Sequence, residues 1–522
     1  MKKKVLIGLS WPYANGRLHI GHAASSLPAD AIARFHRMRG NEVAFVSGSD
    51  CYGTPILVAA KSEGVTPTQL SDKYHELHKA DFESLGFTFD NYTKTTTQQH
   101  GDFVREFHEL MYKNEFIFAK NEPQLYCGSC VKYLPDRYVE GICPHCKSNA
   151  KGDSCDGCGK ILEPEELIEP KCKLCASTPT ARDTRQLYIA LSKLEPQIRE
   201  FYEKSKVYWA NNAVGLTGRY LNEGLRDRAI TRNIEWGVTL PQCAKEKFAL
   251  SDEEFSEKKI YIWAENVLGY LSASQPMDAD VIYFVHAKDN IPFHSVIFPG
   301  LLLAAGKTLP QIKMVSSEYV RLADSKMSKS TGHMITLHEL VEKYPADMIR
   351  YYFLRNVNDK KDVNFTYEDF HAVINSELVN GFGNLVNRTL SFIKSKLDGE
   401  LSLNGRQVVA PTQTFNEVGE LLQDGKTNKA LARIWELVNA GNKLFDESAP
   451  WKTIKSDIGQ CKIDLGAVVT IIANLARLLY PFIPTACEKL AGWLGISLDK
   501  WEPVTLDEID LPDIEILFTR LV

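Results

Sequence analysis

Four pairs of cysteines with the spacing C-x-x-C constrain this chain more than any other feature. The pairs are Cys127/Cys130, Cys143/Cys146, Cys155/Cys158 and Cys172/Cys175. The segment around them has few periodic apolar residues, so burial of a core cannot stabilise it by itself. Four thiolates per site suit tetrahedral Zn²⁺, whereas disulfides need an oxidising compartment that nothing in the sequence indicates. We therefore predict structural zinc, as one or two ions. The spacing leaves open whether neighbouring pairs, or the inner and the outer pairs, share an ion.

The composition is that of an ordinary globular enzyme with several domains. The chain has 522 residues and a formal charge of −5, from 61 Lys and Arg against 66 Asp and Glu. This excludes a small module and a disordered chain, but it leaves room for a local basic face that meets a nucleic acid. The first apolar run is too short for a signal peptide, and the longest, 465–473, is too short to cross a bilayer. We expect a soluble, cytoplasmic protein with no membrane association.

Apolar runs bounded by turns predict a nucleotide-binding sheet that is split in the sequence. Strands are predicted at 4–10, 43–47, 260–263, 281–286 and 312–316, and helices at about 19–40 and 293–303. The cysteine segment lies between the two halves. We therefore expect an α/β fold, in which a Rossmann-like parallel sheet is interrupted by a zinc-knuckle insertion. Long helical periodicities after about residue 340 predict a C-terminal α-helical bundle.

Two motifs on this fold carry groups that suit a polyphosphate. His19-Ile20-Gly21-His22 opens the first helix, where backbone amides favour an anion. Gly21 allows a nucleotide to approach the backbone, and two imidazoles one turn apart can donate to phosphate oxygens. Far downstream, Lys326-Met327-Ser328-Lys329-Ser330 forms a loop whose ammonium groups can close on the phosphates. Alone, the histidine motif could be a surface pair and the lysine motif a solvated basic loop. Together, in this order on a split nucleotide fold, they indicate a polyphosphate site much more specifically than either does alone.

These motifs resemble those of the class I aminoacyl-tRNA synthetases and, within them, of the methionyl-tRNA synthetase family. The match runs nearly end to end: His19 to His22 looks like the HIGH signature, and residues 326–330 spell the KMSKS signature. The cysteine segment looks like the zinc-bearing connective insertion of that family. The resemblance implies nested knuckles, in which the inner four cysteines share one ion and the outer four share another.

We expect five segments along the chain. They are the first half of the catalytic fold (1–116), the connective insertion (117–235), the second catalytic half (236–325), the KMSKS loop with a stem-contact linker (326–372) and an α-helical anticodon-binding domain (373–522). The resemblance implies an ATP-dependent ligase that activates methionine and transfers it to the 3′ end of tRNA(Met), initiator tRNA included. ATP would act with Mg²⁺, and a monomer is expected because the chain ends soon after the bundle.

The resemblance also implies roles for individual residues. Catalysis by positioning and charge stabilisation falls to His19, His22, Lys326 and Lys329. ATP contacts fall on Gly21, Ala287, Asp289, Val320 and Lys329. The methionine site comprises Trp11, Tyr13, Asp50, Trp263, Asn266, Val267, Tyr270 and His294. Within it, Asp50 would pair with the α-ammonium group, and an apolar aromatic pocket suits a thioether.

Three residues are implied to read the anticodon: Asn384, Arg388 and Trp451. Stacking on an indole and hydrogen bonds from amide and guanidinium groups are suitable for single-stranded bases. Other interpretations exist for these three residues and for two aromatic residues of the implied methionine site. Trp263 and Tyr270 could be plain core residues, Asn384 and Arg388 an exposed pair on a helix, and Trp451 a core plug.

Several positions depart from the family pattern and keep two alternatives open. Cys51 and Tyr52 follow Asp50 where the family often has Glu-His, and Glu265 and Asn266 stand where it often has Asp-Ala. The usual Gly is replaced by Ala at position 287. One alternative is a paralogue that activates another small amino acid or uses another acceptor. The other is a catalytically inactive, zinc-stabilised RNA-binding protein.

Overall fold

The first part of the chain forms the strand–helix–strand unit that its apolar pattern predicts. The computed structural model describes residues 2–152, 155, 157–158, 160, 162–322, 325–326, 334–403 and 411–522. Its first elements are β1 (Lys4–Leu9), α1 (Ile20–Met38), β2 (Glu42–Ser49), α2 (Thr54–Glu63), α3 (Pro67–Ser84), β3 (Asn91–Lys94) and α4 (Gln98–Lys113). Gly40, at φ 72°, ends the turn after α1 in a conformation that favours glycine.

The insertion consists of an antiparallel sheet that carries the knuckles and two helices that return to the core. Its elements are β4 (Ile117–Cys127), β5 (Lys132–Tyr133), β6 (Val139–Ile142), β7 (Asn149–Lys151), β8 (Ile168–Cys172), β9 (Thr180–Ile189), α5 (Leu191–Ser205), α6 (Asn211–Glu223), β10 (Arg228–Ala229) and β11 (Thr231–Asn233). Strands β4 and β9 pair along nearly their whole length, from Ile117 opposite Ile189 to Tyr126 opposite Thr180. This long ribbon carries the cysteines away from the central sheet.

The chain then returns to the nucleotide-binding fold. The elements are α7 (Cys243–Lys247), α8 (Asp252–Glu257), β12 (Lys258–Ile260), α9 (Gly269–Ala273), β13 (Val281–Ala287), α10 (Phe298–Ala304), β14 (Gln311–Ser317), β15 (Val320–Leu322) and β16 (Ser325–Lys326). A π-helical turn, Phe293–Ile297, precedes α10.

The remainder is mainly helical, as predicted. It comprises α11 (Leu337–Lys343), α12 (Ala346–Asn356), β17 (Val363–Phe365), α13 (Tyr367–Val373), a π-helix (Ile374–Gly383), α14 (Asn384–Lys396), β18 (Glu400–Ser402), α15 (Thr412–Gln423), α16 (Thr427–Ser448), α17 (Pro450–Ser456), α18 (Ile458–Leu479), α19 (Pro484–Leu494) and β19 (Glu508–Asp510). None of the helices in the described part of the chain is long and apolar enough to cross a membrane.

The central sheet has five parallel strands in the order β14, β13, β1, β2, β3. Side chains alternate between its two faces. In β1, Val5, Ile7 and Leu9 join the core shared with α1 and the helical bundle, whereas Leu6 joins the core on the insertion side. Burial on both faces explains why these strands appear as continuous apolar runs.

The structure corrects the sequence-based prediction at two strands of this sheet. The predicted strand 260–263 does not belong to it, because Lys258–Ile260 pairs antiparallel with β11 in a separate ribbon and Ile262–Ala264 is a helical turn. The fifth strand is instead Asn91–Lys94, which pairs with β2. Its sequence, NYTK, is half-buried and polar, so it has no apolar run to detect.

A fully buried ion pair joins α1 to the helical bundle. Asp30, in the middle of α1, accepts a hydrogen bond from the Arg350 Nη2 of α12 at 2.7 Å, and both side chains are 0% exposed. Arg350 also donates to the carbonyls of Leu85, Pro481 and Phe482. Burial alone would raise the pKa of Asp30, but Arg350 and Arg34 outweigh it and hold that pKa at about 2.

We expect Arg350→Met to lower the free energy of unfolding by about 3–5 kcal/mol, because the buried carboxylate keeps only Arg34 as a cationic partner and three buried carbonyls lose their donor. Urea denaturation followed by circular dichroism measures this loss. The matched control is Lys443→Met, which breaks an exposed pair with Glu447 and should cost less than about 1 kcal/mol. Because the pKa of Asp30 is depressed from 3.8, its contribution should be complete above pH 3.8 and lost as the pH falls towards 2. Equal losses in the two variants would contradict the assignment.

Candidate functional site

The predicted site residues gather at one edge of the central sheet, where its parallel strands end. Tyr13 follows β1, Asp50 follows β2, and Ala287 is the last residue of β13. The first two loops are tied together, since the amide of Asp50 donates to Pro12 at 2.9 Å and its carbonyl accepts from Ala14 at 2.8 Å. The carboxyl edge of such a sheet is where ligands bind.

Two histidines cap the N-terminus of α1 reciprocally. His19 is the N-cap, and its Nδ1 accepts from the amide of Gly21 at 3.1 Å. The amide of His19 donates in turn to Nδ1 of His22 at 3.1 Å, and the two rings lie 4.0 Å apart. A neutral imidazole that accepts at Nδ1 carries its proton at Nε2. Each ring is therefore fixed as an Nε2 donor beside the positive end of the helix.

The described segment that follows the lysine signature in the sequence pairs with the histidine segment. The amide of Ile20 donates to Ile335 at 3.1 Å, that of Leu337 donates to Leu18 at 3.0 Å, and His19 forms a β-bridge with Thr336. On the other side, the backbone of Lys326 pairs with Arg321 of β15. Lys329 and the Lys326 side chain lie outside the described residues. The described residues 335–337, which follow the signature in the sequence, lie beside the histidine pair.

Two of the predicted methionine-site residues line a common cavity. Tyr13 and Trp263 border a small cavity of about 30 Å³ with Tyr52, Arg232 and other residues. Trp263 is half-buried and meets Phe293 edge-on at 4.6 Å. A cavity of this size has room for about one water molecule, so it does not separate the binding-site interpretation of Trp263 from that of a core aromatic.

Tyr270 and His294 form a buried pair and are not among the described residues that line that cavity. The Nδ1 of His294 donates to the carbonyl of Asn290 at 2.9 Å, so Nε2 accepts from the hydroxyl of Tyr270 at 2.9 Å. Burial, with the neighbouring His286, lowers the pKa of His294 well below its usual value. The ring is therefore neutral and can hold the phenol in a single orientation.

Glu265, one of the residues that depart from the family pattern, is a buried acid. Oε1 of Glu265 lies 2.5 Å from Nε2 of His100, and Nδ1 of the same ring lies 2.8 Å from the hydroxyl of Ser272. Burial raises the pKa of Glu265. Trp11 packs against His100, with ring centroids 6.1 Å apart. The Nδ2 of Asn266 is buried without a hydrogen-bond partner among the described residues. Val267, another predicted contact, is 3% exposed.

The predicted nucleotide residues lie on neighbouring segments. Ala287 is opposite Ser317 at the ends of β13 and β14, and Asp289 lies in the turn that follows. Val320 opens β15 and is 7% exposed. The structure thus brings these residues to the same edge as His19, with the side chain of Asp289 exposed and that of Val320 buried.

The eight paired cysteines form two clusters, and the clusters are nested. The inner cluster has Cys143, Cys146, Cys155 and Cys158, and the outer has Cys127, Cys130, Cys172 and Cys175. Within each, all Sγ atoms lie within 4.8 Å of one another, and two Sγ–Sγ pairs in each cluster are 3.4–3.9 Å apart. Thiolates bound tetrahedrally at about 2.3 Å from zinc are about 3.8 Å apart, so both sets fit a zinc ion. The spacing left open which cysteine pairs share an ion, and the structure has the nested arrangement.

The knuckles are built by backbone turns and linked to the catalytic half through one arginine. Val131, Lys147 and Ala176, each following the second cysteine of a knuckle, have positive φ angles. Arg232 stacks on Tyr261 at 3.7 Å and lies 3.4 Å from a carboxylate oxygen of Asp136 in the insertion. Because Arg232 also borders the Tyr13 cavity, the insertion and the candidate pocket share this residue.

The predicted anticodon residues lie together on the helical bundle. Arg388 of α14 stacks on Phe445 of α16 at 4.4 Å, and the ring of Trp451 lies 6.2 Å from that of Phe445. Arg388 also pairs with Asp446 at 2.5 Å. Trp451 is 47% exposed, so it is not a core plug. Asn384 is exposed one turn before Arg388 on the same helix, which places all three near one surface.

Sequence reasoning missed several residues of these sites. His100, Arg232 and Phe445 were not singled out, although each contacts a predicted site residue or lines its cavity. The only available signal was for Arg232, a charged residue between the apolar Ile230 and Ile234 in a buried strand. His100 and Phe445 have no local pattern, because their partners are far away in the sequence.

A split parallel sheet, a HIGH-type helix start and an appended helical bundle define a class I aminoacyl-tRNA synthetase. The family model described as tRNA synthetases class I (M) matches residues 5–390, and the anticodon binding domain of methionyl tRNA ligase matches residues 404–511. The chain belongs to the methionyl-tRNA synthetase family.

Curated relatives and a solved structure agree with this assignment. Methionine–tRNA ligase 1 of Alkaliphilus oremlandii is 40% identical, covering 99% of this chain and 97% of the relative. Methionine–tRNA ligase of Bacillus mycoides is 41% identical, with coverage of 99% and 96%. The methionyl-tRNA synthetase of Mycobacterium tuberculosis in complex with methionyl-adenylate has a TM-score of 0.81 and 23% identity over 100% of both chains. That similarity shows the shared fold.

We expect the purified chain to hold two zinc ions, measured by elemental analysis. Cys146→Ser should reduce the content to one ion and leave the outer site intact, and Cys175→Ser should do the converse, because each thiolate serves one cluster. The matched control is Cys243→Ser, at an exposed cysteine outside both clusters, which should retain both ions. Loss of both ions from either single variant would contradict independent sites.

Proposed function

We propose that this chain is a methionine–tRNA ligase that works in two steps. The carboxylate of methionine attacks the α-phosphorus of ATP, giving methionyl-adenylate and releasing pyrophosphate. A terminal ribose hydroxyl of tRNA(Met) then attacks the carbonyl carbon, which releases AMP. Charging of initiator tRNA, a monomeric state and a cytoplasmic location are part of the same proposal.

The observation that carries the proposal is the pairing of the histidine segment with residues 335–337, which follow the lysine signature in the sequence. His19 and His22 are both fixed as Nε2 donors at a helix N-terminus, and residues 335–337 pair with residues 18–20. Negative charge that develops on the phosphates during attack would meet these donors. In this proposal Lys326 and Lys329 hold the β and γ oxygens with Mg²⁺, while Gly21, Ala287, Asp289 and Val320 bind the rest of ATP.

Positioning of the two substrates would supply the remaining catalysis. Asp50 is buried at the end of β2, which suits a partner for the α-ammonium group. Tyr13, Trp263, Tyr270 and His294 would enclose the thioether, with Trp11, Asn266 and Val267 completing the site. Since no side-chain nucleophile is needed, correct alignment of carboxylate and phosphate is the main task of the protein.

The two cysteine clusters would hold structural zinc. Four thiolates close each coordination sphere, so the ions would stabilise the insertion and leave no position for a substrate.

The tRNA would be read on the helical bundle. A base can stack there on the exposed Trp451 and form hydrogen bonds with Asn384 and Arg388.

Lys329→Ala should slow methionine-dependent pyrophosphate exchange about a hundredfold or more, because one charge that stabilises the transition state is lost. The KM for methionine should change by less than about threefold, since the lysine does not touch the amino acid. Lys343→Ala, at an exposed lysine of α11, is the control and should leave both values unchanged. An equal loss in rate and methionine binding would argue against this role.

The twenty amino acids compared in the same exchange assay identify the substrate. We expect exchange with methionine alone. Pyrophosphate exchange with another small amino acid would favour the paralogue, and Asn266→Ala would then be the first variant to measure. Absence of exchange with every amino acid would favour the inactive RNA-binding protein.

Trp451→Ala should raise the KM for tRNA in aminoacylation about tenfold or more, because one base stack contributes about 1–3 kcal/mol. Pyrophosphate exchange without tRNA should not change, since the indole lies on the bundle. Ile458→Ala, at a neighbouring exposed apolar residue, is the control and should affect neither measurement. A comparable loss in exchange would indicate damage to the fold rather than to recognition.

A further inference from the structure

The carboxylate of Asp362, in the linker after the lysine signature, binds both segments that carry the predicted nucleotide residues. Asp362 lies immediately before β17, and its side chain is 16% exposed. Its Oδ1 accepts from Nζ of Lys288 at 2.7 Å and from the amide of Tyr319 at 3.1 Å. Its Oδ2 accepts from Nε of Arg321 at 2.8 Å and from Nη2 at 2.7 Å. Two cations and one amide therefore converge on one group.

Each of these partners is a direct neighbour of a residue predicted to bind ATP. Lys288 stands between Ala287 and Asp289, in the turn after β13. Tyr319 and Arg321 stand on either side of Val320, at the start of β15. Asp362 thus links the side chain of Lys288, in the turn after β13, to the amide of Tyr319 and the side chain of Arg321 at the start of β15, although the three segments are far apart in the sequence.

The same contact continues towards the lysine signature. Arg321 is paired across the ribbon with Lys326, so the strand that Asp362 holds, β15, pairs with β16, which carries the first residue of the signature. Strand β17 adds a second restraint, because it runs parallel to β15 from Val363 opposite Val320. The placement of Asp362 is therefore fixed by backbone pairing as well as by its ion pairs.

The charges of this cluster are neutralised within the protein. Lys288 also donates to Glu318 at 2.5 Å and lies over the ring of Tyr319 at 4.4 Å. Burial alone would raise the pKa of Asp362, but hydrogen bonds from Lys288 and Arg321 outweigh it and lower that pKa below its usual value, so the carboxylate is charged at neutral pH. A charged, paired group of this kind fixes geometry, and its cations are committed to carboxylates rather than to a phosphate.

We propose that Asp362 is a positioning residue for ATP: it holds the turn after β13 and strand β15 at a fixed separation, so that Ala287, Asp289 and Val320 form one nucleotide subsite. The proposal rests on the proposed function. It predicts that the nucleotide, rather than the amino acid, is the substrate whose binding depends on this carboxylate, because Asp50 and Tyr13 are held by separate backbone bonds between β1 and β2.

The test is Asp362→Asn in the full chain, with steady-state pyrophosphate exchange measured against varied ATP and against varied methionine. The amide keeps the size of the side chain but loses the charge that holds Lys288 and Arg321. We expect the KM for ATP to rise about tenfold and the KM for methionine to change less than about twofold. Lys288→Met should act in the same direction, and the double variant should show less than additive effects, since both changes break one contact.

Two further variants separate positioning from stability. Glu377→Gln makes the same carboxylate-to-amide change in an ion pair with Arg355 on the helical side, and it should leave both KM values unchanged. Arg321→Met removes the two bonds to Oδ2 from a side chain that is 51% exposed, so it tests the same contact if Asp362→Asn fails to fold. Melting temperatures of all variants are measured in parallel.

The proposal is overturned if both KM values rise together. It is also overturned if the KM for ATP is unchanged while the melting temperature falls, or if the KM for ATP decreases. The last result would mean that the carboxylate repels ATP. A wild-type chain without methionine-dependent exchange would instead refute the proposed function, so the two failures are distinguishable.

Discussion

The buried ion pair between Asp30 and Arg350 is the contact on which the arrangement of the two halves depends. Helix α1 begins at the capping histidine His19, packs beneath the parallel sheet and carries Asp30 near its middle. Arg350 binds that carboxylate and the carbonyls that precede α19, so sheet and bundle are attached to the same helix. Neither charge is solvated at 0% exposure, so loss of this contact within the packed fold would leave Arg350 without a carboxylate and Asp30 with Arg34 alone. Helix α1, which begins at the histidine pair, is therefore attached to the helical bundle through a buried ion pair.

The insertion depends on a different force. Its core around the knuckles is small, and cysteine side chains make up much of it. Thiolates held by a metal replace the apolar burial that this segment lacks, which is why the chain can extend a long two-stranded ribbon away from the sheet. Arg232 then brings the ribbon back into contact with the candidate pocket through Asp136 and Tyr261. Stability of the metal segment and shape of the pocket are coupled at that residue.

Much of the catalytic fold could be predicted from local pattern. Continuous apolar runs located β1, β2, β13 and β14, and the HIGH-type motif correctly located the start of α1. The pattern failed at 260–263, where apolar side chains line a helical turn and a two-stranded ribbon, and it missed Asn91–Lys94, whose side chains are polar. The cysteine spacing predicted two possible pairings, and only the family resemblance favoured the nested one that the structure has. The residues Asp362, His100 and Phe445 had no local signal.

The sequence by itself determined which groups this protein has: eight paired cysteines, two histidines at a helix start, a lysine loop, and aromatic and amide residues on a helical bundle. Their chemistry depends on residue type and short spacing, which are local. Tertiary structure alone decided which thiolates meet, that Trp451 is about half exposed, and that Asp362 binds the neighbours of three residues predicted to bind the nucleotide. These contacts join residues separated by long stretches of chain, and their formation depends on packing of the whole fold, so no local pattern records them.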